Sequence, residues 1–432
     1  MRRTLERKDV IAKYVYIFSW LVILSFLLLL VVLFFTHGNN SNAYFFQDPK
    51  DVGMDFFNSI VCTKGRHPYT QYNTVYPPLA NMLFWLISRC MPTNSVLNFP
   101  NTLKESVANR GTEFDLRTLQ IPMIMYSLYI ALTVWLIGIV VIKNIRNNRL
   151  GILFSLSLIL NYASISAIER GNIILLAFAF LCVYIEYYDS ENRILRELAY
   201  ISLAISAGLK LYPALFGVLL ISKNRAKDVF RTLIYGLIFF GVPFLLFDGL
   251  DGFRGFVHVI TGGFASAEEA SIMGYNLTSI SISIVKQLSI VCGFEFNTST
   301  MMTILSVTKI IKWIIGALII LFIITSRDCF KKTLGISMVC LLFQNSVDYT
   351  LLFAMVPIMV VFKDTIMDNY MKIYFVLLVI IFLNIPIMYN IGNVGLKVCV
   401  AIKQYMILLL LMVMIMELVK RLLGKGSKRV NI

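Results

Sequence analysis

The sequence predicts an all-α, polytopic membrane protein, and three observations carry that expectation. Of its 432 residues 58% are hydrophobic and only 15% charged. Its mean hydropathy is +0.77. Apolar runs of membrane-spanning length recur from residue 14 to residue 419. Soluble domains carry roughly 25% charged residues, and a soluble chain of this length divides into domains joined by polar linkers, which are not visible here. Composition therefore excludes a soluble enzyme, a fibrous protein and a disordered chain. The net charge of +15 does not point to nucleic acid, because Lys and Arg punctuate the apolar runs, as retention on the cytoplasmic side requires. The seven cysteines show no CxxC spacing and only three histidines are present, so neither a disulfide framework nor a histidine-built metal centre is signalled.

A hydrocarbon core about 30 Å thick needs roughly 20 helical residues. In chain order the qualifying runs are 14–35, 119–142, 150–167, 172–188, 229–247, 301–325, 371–390 and 402–419. Each must be helical, because lipid offers no partner to an open backbone group. The first run is too long for a signal-peptide core and counts as a helix. Basic residues at both ends place residues 1–13 and the tail 420–432 in the cytoplasm.

Residues 197–222 and 333–362 are apolar runs with basic residues on both flanks and a polar break in the middle, Gly208-Leu209-Lys210-Leu211-Tyr212-Pro213 and Gln344-Asn345-Ser346-Val347-Asp348-Tyr349. Each reads as a hairpin of two short helices that turns near the outer face, with Lys210 and Asp348 at the tips. Residues 77–91 admit two readings. A full crossing puts Lys143, Arg146 and Arg149 outside, whereas a dip and return keeps them inside. In all, about 11–13 membrane segments are expected in a single integral domain over 1–432, with large outer loops at 36–76 and 248–300.

This topology brings the unusual polar groups to the outer membrane–water interface. In the first loop Asp51, Asp55, Asn58 and Cys62 recur at helical spacing, on one face of a short helix lying along the membrane. Phe56 and Phe57 would anchor that helix to the membrane surface, and the plain alternative for Asp55 is a solvated carboxylate or a helix cap. Ile168-Glu169-Arg170-Gly171-Asn172 sits at a helix junction, where the plain alternative is a turn closed by a Glu169–Arg170 pair. Lys210 in an apolar hairpin is a functional candidate, with snorkelling as its alternative. Tyr275-Asn276-Leu277-Thr278-Ser279 opens an amphipathic stretch that runs to about residue 292, and Asp348-Tyr349 lies at the second hairpin tip. Such groups suit chemistry on a lipid-linked anion: Lys210 and Arg170 for a phosphate, Asp55 for a proton, tyrosines for a sugar. A transporter would hold its charges nearer the midplane and show internal repeats.

Asp55-Phe56, Gly65-Arg66-His67-Pro68-Tyr69, Tyr76-Pro77-Pro78-Leu79, Arg170-Gly171-Asn172, Lys210-Leu211-Tyr212-Pro213 and Asn276 with Ser279 occur in this order. The order resembles glycosyltransferase family 87, which includes polyprenyl-phosphomannose-dependent mannosyltransferases. Asn58 and Cys62 depart from the family's run of small and tyrosine residues, and the 92–117 connection is longer and more polar. The resemblance implies a GT-C-like helical bundle in the plasma membrane. It also implies inverting transfer of a hexose, mannose first, from a polyprenyl-phosphate donor to a lipid or glycan acceptor on the outer face. It makes Asp55 the catalytic base and assigns the donor phosphate to Lys210 and Arg170. Its motifs put substrate contacts at Tyr69, Tyr76, Asn172, Tyr212 and Asn276, and the second hairpin tip adds Asp348 and Tyr349 as candidates. No cofactor is demanded, although Asp48, Asp51 and Asp55 together could take a divalent cation. A polymerase or ligase with a lipid-diphosphate donor, and a transporter or flippase, are the alternatives.

The orientation is open to direct measurement. In a cysteine-free background, Lys428→Cys is expected to label only after the cytoplasmic face is exposed. Labelling from outside would invert every candidate site.

Overall fold

The computed structural model describes residues 2–37, 52–99, 115–145, 147–221, 225–263, 272–344, 346–363, 368–387, 391 and 396–427. Its helices, in chain order, are α1 (Arg2–Phe35), α2 (Met54–Lys64), α3 (Pro78–Arg89), α4 (Thr93–Asn98), α5 (Gln120–Asn144), α6 (Asn148–Ile159), α7 (Tyr162–Arg170) and α8 (Ile174–Tyr187). They continue as α9 (Arg193–Leu209), α10 (Ala226–Gly241), α11 (Gly249–His258), α12 (Leu277–Cys292), α13 (Thr298–Thr325), α14 (Cys329–Leu342), α15 (Asn369–Phe382) and α16 (Val398–Ser427). Short 3-10 and α turns form Tyr212–Ile221 and Asp348–Phe362, and further short turns lie at Leu116–Thr118, Val242–Leu246 and Val259–Gly263. Asp9–Phe35, α5, Ala226–Leu246, α13 and Val398–Leu423 are each long and apolar enough to cross a membrane, and α6 with α7 passes as a pair. Exposed Leu237, Trp313 and Ile324 give these helices the apolar outer faces that lipid contact requires. The chain is an all-α polytopic membrane protein.

Two of the expected spans are interrupted. The run 150–167 breaks into α6 and α7 with a bend of 55°. Asn161 lies in the break, and its side-chain amide donates to the carbonyls of Ser157 and Leu158 at 3.1 and 2.7 Å, diverting acceptors that a continuing helix would use. The run 371–390 is helical only to Phe382. Pro386 disfavours helix at the residue before it, and the Asn384 side chain donates instead to the Leu160 carbonyl at 2.8 Å. Hydropathy overran this end because Ile385 and Ile387 remain apolar beyond it. The 77–91 stretch resolves as α3, whose 12 residues rise only about 18 Å. It is too short to cross the hydrocarbon core.

Both hairpins are present. In the first, α9 stops at Leu209 and Lys210 is extended, with φ −150°. Pro213 has no N–H for the Leu209 carbonyl, so the chain cannot continue as α-helix and returns through Tyr212–Ile221, bringing Gly217 against Leu203. In the second, the Ser337 hydroxyl of α14 donates to the Phe353 carbonyl of the returning arm at 2.7 Å.

The chain folds as two compact units. One comprises residues 45–155 and 164–267, the other 1–44, 156–163 and 268–432. The first has its core around Phe56, Phe57, Phe84, Tyr129, Ile173 and Leu209. Phe56 and Phe57 are therefore not membrane anchors, since both are buried inside protein. Their rings pack against Tyr126, where aromatic stacking adds to burial.

The second unit holds an internal ion network. Lys331, expected only as a basic flank, is buried and paired with Glu417 at 2.6 Å and with Asp368. Glu417 also accepts from Arg421 at 2.5 Å and from the Tyr374 hydroxyl at 2.8 Å, tying α14, α15 and α16 together. Removing one member of such a network strands the others away from water, at about 3–5 kcal/mol. Glu417→Ala is accordingly expected to lower the thermal midpoint of the detergent-solubilised protein clearly. Asp251→Ala, which breaks an exposed pair with Arg254, should leave it nearly unchanged. Equal midpoints for the two variants would contradict this ranking.

Candidate functional site

Asp55 lies in the first turn of α2, after Gly53 in left-handed conformation with φ 72°. The Gly53 N–H donates to the Glu169 carbonyl at 2.7 Å, which docks the start of α2 on the junction after α7. Gly171 at that junction is also left-handed, with φ 65°. A Cβ there would lie 2.7 Å from Phe56 Cβ and from Tyr126 Cε2, so the approach requires glycine. From α5, the Tyr126 hydroxyl donates to the Ile168 carbonyl and the Tyr129 hydroxyl to the Asn172 carbonyl at 3.0 Å. The junction is thus held in place by its own backbone oxygens.

With both segments fixed, the carboxylate meets its partners. Arg170 Nη2 donates to Asp55 Oδ1 at 2.8 Å, and Asn172 Nδ2 donates to Asp55 Oδ2 at 2.7 Å. The Asp55–Arg170 pair joins two segments far apart in the chain. The same Asn172 nitrogen lies 3.1 Å from the Tyr76 hydroxyl. Lys210 Nζ stands 4.9 Å from the Tyr76 ring centre and 5.7 Å from that of Tyr212, within reach of cation–π attraction. Asp55, Arg170, Asn172, Tyr76, Lys210 and Tyr212 therefore converge. The Asp55 side chain keeps 15% exposure, and each carboxylate oxygen has a further lone pair beyond the bond described.

Other expected contacts have different roles. The Tyr69 ring is buried against Phe244, Phe247 and Phe256, so it does not stack on a sugar. Its hydroxyl, kept protonated by burial, donates to the Tyr76 carbonyl at 2.9 Å and steadies Tyr76. Asn276 is buried, and its side chain accepts from the Ser279 N–H at 2.8 Å. It caps α12. Asp48 and Asp51 lie outside the described residues.

Asp348 belongs to a second cluster, in the other unit. Its Oδ1 accepts from the hydroxyls of Tyr162 and Tyr275, each at 2.7 Å. Burial and the neighbouring Asp348 charge hold the Tyr275 phenol well above its ordinary range, so it remains a donor. Buried Lys403 stands 3.8 Å from the Tyr162 ring centre. Tyr349, next to Asp348, is half-buried. Sequence reasoning missed Tyr126, Tyr129, Tyr162 and Lys403. Only Lys403 carried a signal, as a charge in the first turn of an apolar run.

The model for glycosyltransferase family 87 matches residues 74–353. The matched range contains Tyr76, Arg170, Asn172, Lys210 and Asp348, and Asp55 lies before it. No curated protein and no solved structure matches the chain. A match over more than half the sequence, onto a helical membrane fold in which Tyr76, Arg170, Asn172 and Lys210 of the family-like motifs meet near Asp55, makes this chain a member of glycosyltransferase family 87.

Proposed function

We propose that this membrane glycosyltransferase moves a hexose, mannose first among candidates, from a polyprenyl-phosphate donor to a hydroxyl of a lipid or glycan acceptor. The active site would face outward across the plasma membrane. The observation that carries this reading is the convergence of Asp55, Arg170, Asn172, Tyr76 and Lys210 from separate segments onto one polar locus. Asp55 takes the acceptor proton through a lone pair that Arg170 and Asn172 leave open. The acceptor oxygen bonds to the anomeric carbon from the face opposite the phosphate. The bond from that carbon to the phosphate oxygen breaks, and polyprenyl phosphate leaves with the electron pair, so the anomeric configuration inverts.

Arg170 and Asn172 orient the base, and the Asp55 pair uses one of the five N–H donors of the guanidinium. Lys210 lies on a helix break beside two rings, placed to meet the phosphate as its charge grows, which is the electrostatic contribution that most lowers such barriers. Tyr76 and Tyr212 flank that lysine and offer ring faces to the sugar. Tyr349 remains a proposed substrate contact of the Asp348 cluster.

Purified protein incubated with radiolabelled polyprenyl-phosphate sugars and a membrane lipid extract tests the reading. Asp55→Asn keeps the shape of the side chain but accepts no proton, so transfer is expected to fall at least about 10²-fold. Near-normal transfer by this variant would remove Asp55 as base. Lys210→Gln should cost about 10²-fold or more in turnover while the protein still inserts and purifies normally. Ordinary donor use by that variant would take Lys210 out of the site. Transfer from a lipid diphosphate, and none from the monophosphate, would overturn the donor class.

A further inference from the structure

The far end of α2 carries a second charged group, nine residues and about 14 Å along the helix from Asp55. Lys64 closes α2, and Arg66 follows in left-handed conformation with φ 67°. Arg89 closes α3. The guanidinium carbons of Arg66 and Arg89 lie 4.9 and 5.6 Å from the centre of one indole, Trp85. Lys64 Nζ donates to the Ser88 carbonyl at 2.7 Å, which complements the negative end of α3. Its ammonium is shifted below the ordinary lysine range by desolvation and by the nearby Arg89 charge.

Among the described residues no carboxylate pairs with Lys64, Arg66 or Arg89. Neighbouring His67 differs, since its Nδ1 meets Asp248 Oδ1 at 2.7 Å. Helix ends account for Lys64 and for one charge at the end of α3. They do not account for two exposed arginines drawn to the same ring, one of them on a backbone conformation that costs a non-glycine residue energy. The surroundings are apolar: Leu86, one turn before Arg89, is 50% exposed and Leu97 of α4 is 66% exposed. Cations, an indole and bare leucines on short helices are the composition of a surface seated at the headgroup level of a bilayer.

We propose that Arg66, Arg89 and Lys64, clustered on Trp85, bind the phosphate of an anionic phospholipid headgroup. This bound lipid is distinct from donor and acceptor, and the proposal stands independently of the role of Asp55. The guanidinium fork suits a phosphodiester, and a uniformly positive group attracts an anionic headgroup where a mixed one would not. The leucines take the adjoining acyl chain.

The test is lipid retention. Full-length protein is equilibrated with vesicles of equal phosphatidylglycerol and phosphatidylcholine, extracted in detergent, and its bound lipids are counted by native mass spectrometry. Wild-type protein should retain phosphatidylglycerol preferentially. Arg66→Gln with Arg89→Gln should lose that preference by about fivefold per arginine, whereas Arg66→Lys with Arg89→Lys should keep most of it. Undiminished preference in the double glutamine variant would overturn the proposal. If that variant does not fold, Arg89→Gln alone decides by the same criterion. Equal retention of both lipids by wild type, with inorganic phosphate binding through the same arginines, would assign the site to a free anion and overturn the lipid assignment.

Discussion

The contact on which the site depends is the clasp of Asp55 by Arg170 and Asn172. An ionised carboxylate in an apolar chain needs both a counter-charge and hydrogen-bond donors, and here each oxygen receives one donor. The geometry propagates outward. Gly53 must be left-handed to present its N–H to Glu169, and Gly171 must lack a side chain for Phe56 and Tyr126 to pass. The two tyrosines of α5 then satisfy the junction carbonyls. Breaking such a pair by removing one partner costs far more than the pair contributes to folding. Its value lies in placing one carboxylate in one orientation.

Both units solve the same problem by the same means. Charge enters an apolar chain, at a helix break for Lys210 and Asp348 and within α16 for Lys403, and tyrosine stands beside it. Lys210 stands by Tyr76 and Tyr212, Lys403 by Tyr162, and Asp348 accepts from Tyr162 and Tyr275. Tyrosine serves both signs because its ring face attracts a cation while its hydroxyl donates to an anion. The breaks release backbone groups that an unbroken helix would consume, which is tolerated at membrane depth only inside protein or a polar cavity.

Residues legible in the sequence were those that depart from their surroundings. Asp55, Arg170, Asn172 and Lys210 stand out because charge and amide are costly in an apolar chain, and the two hairpins because basic flanks bracket a polar break. Their supports were not legible. Tyr126 and Tyr129 look like any aromatic residue of an apolar helix, and their bonds reach 42 and 43 residues along the chain, a separation that leaves no periodic trace. Phe56 and Phe57 misled for a related reason, because composition cannot tell a ring facing lipid from one facing the core. The Lys331–Glu417 pair spans 86 residues, so each half reads as an ordinary flanking charge.

Under the proposed mechanism, charge bears on the choice of donor. Asp55 would give up its negative charge on taking the acceptor proton, and the departing phosphate monoester would acquire that charge beside Lys210. Negative charge would then move from the carboxylate toward the lysine with no change in the total. Glu169, next to Arg170 in the chain, brings a second carboxylate to the junction. A lipid-diphosphate donor would bring one more negative charge than a monophosphate at the start and keep it to the end. Where the medium screens poorly, each such excess is costly, and that cost favours the monophosphate in the proposed reading.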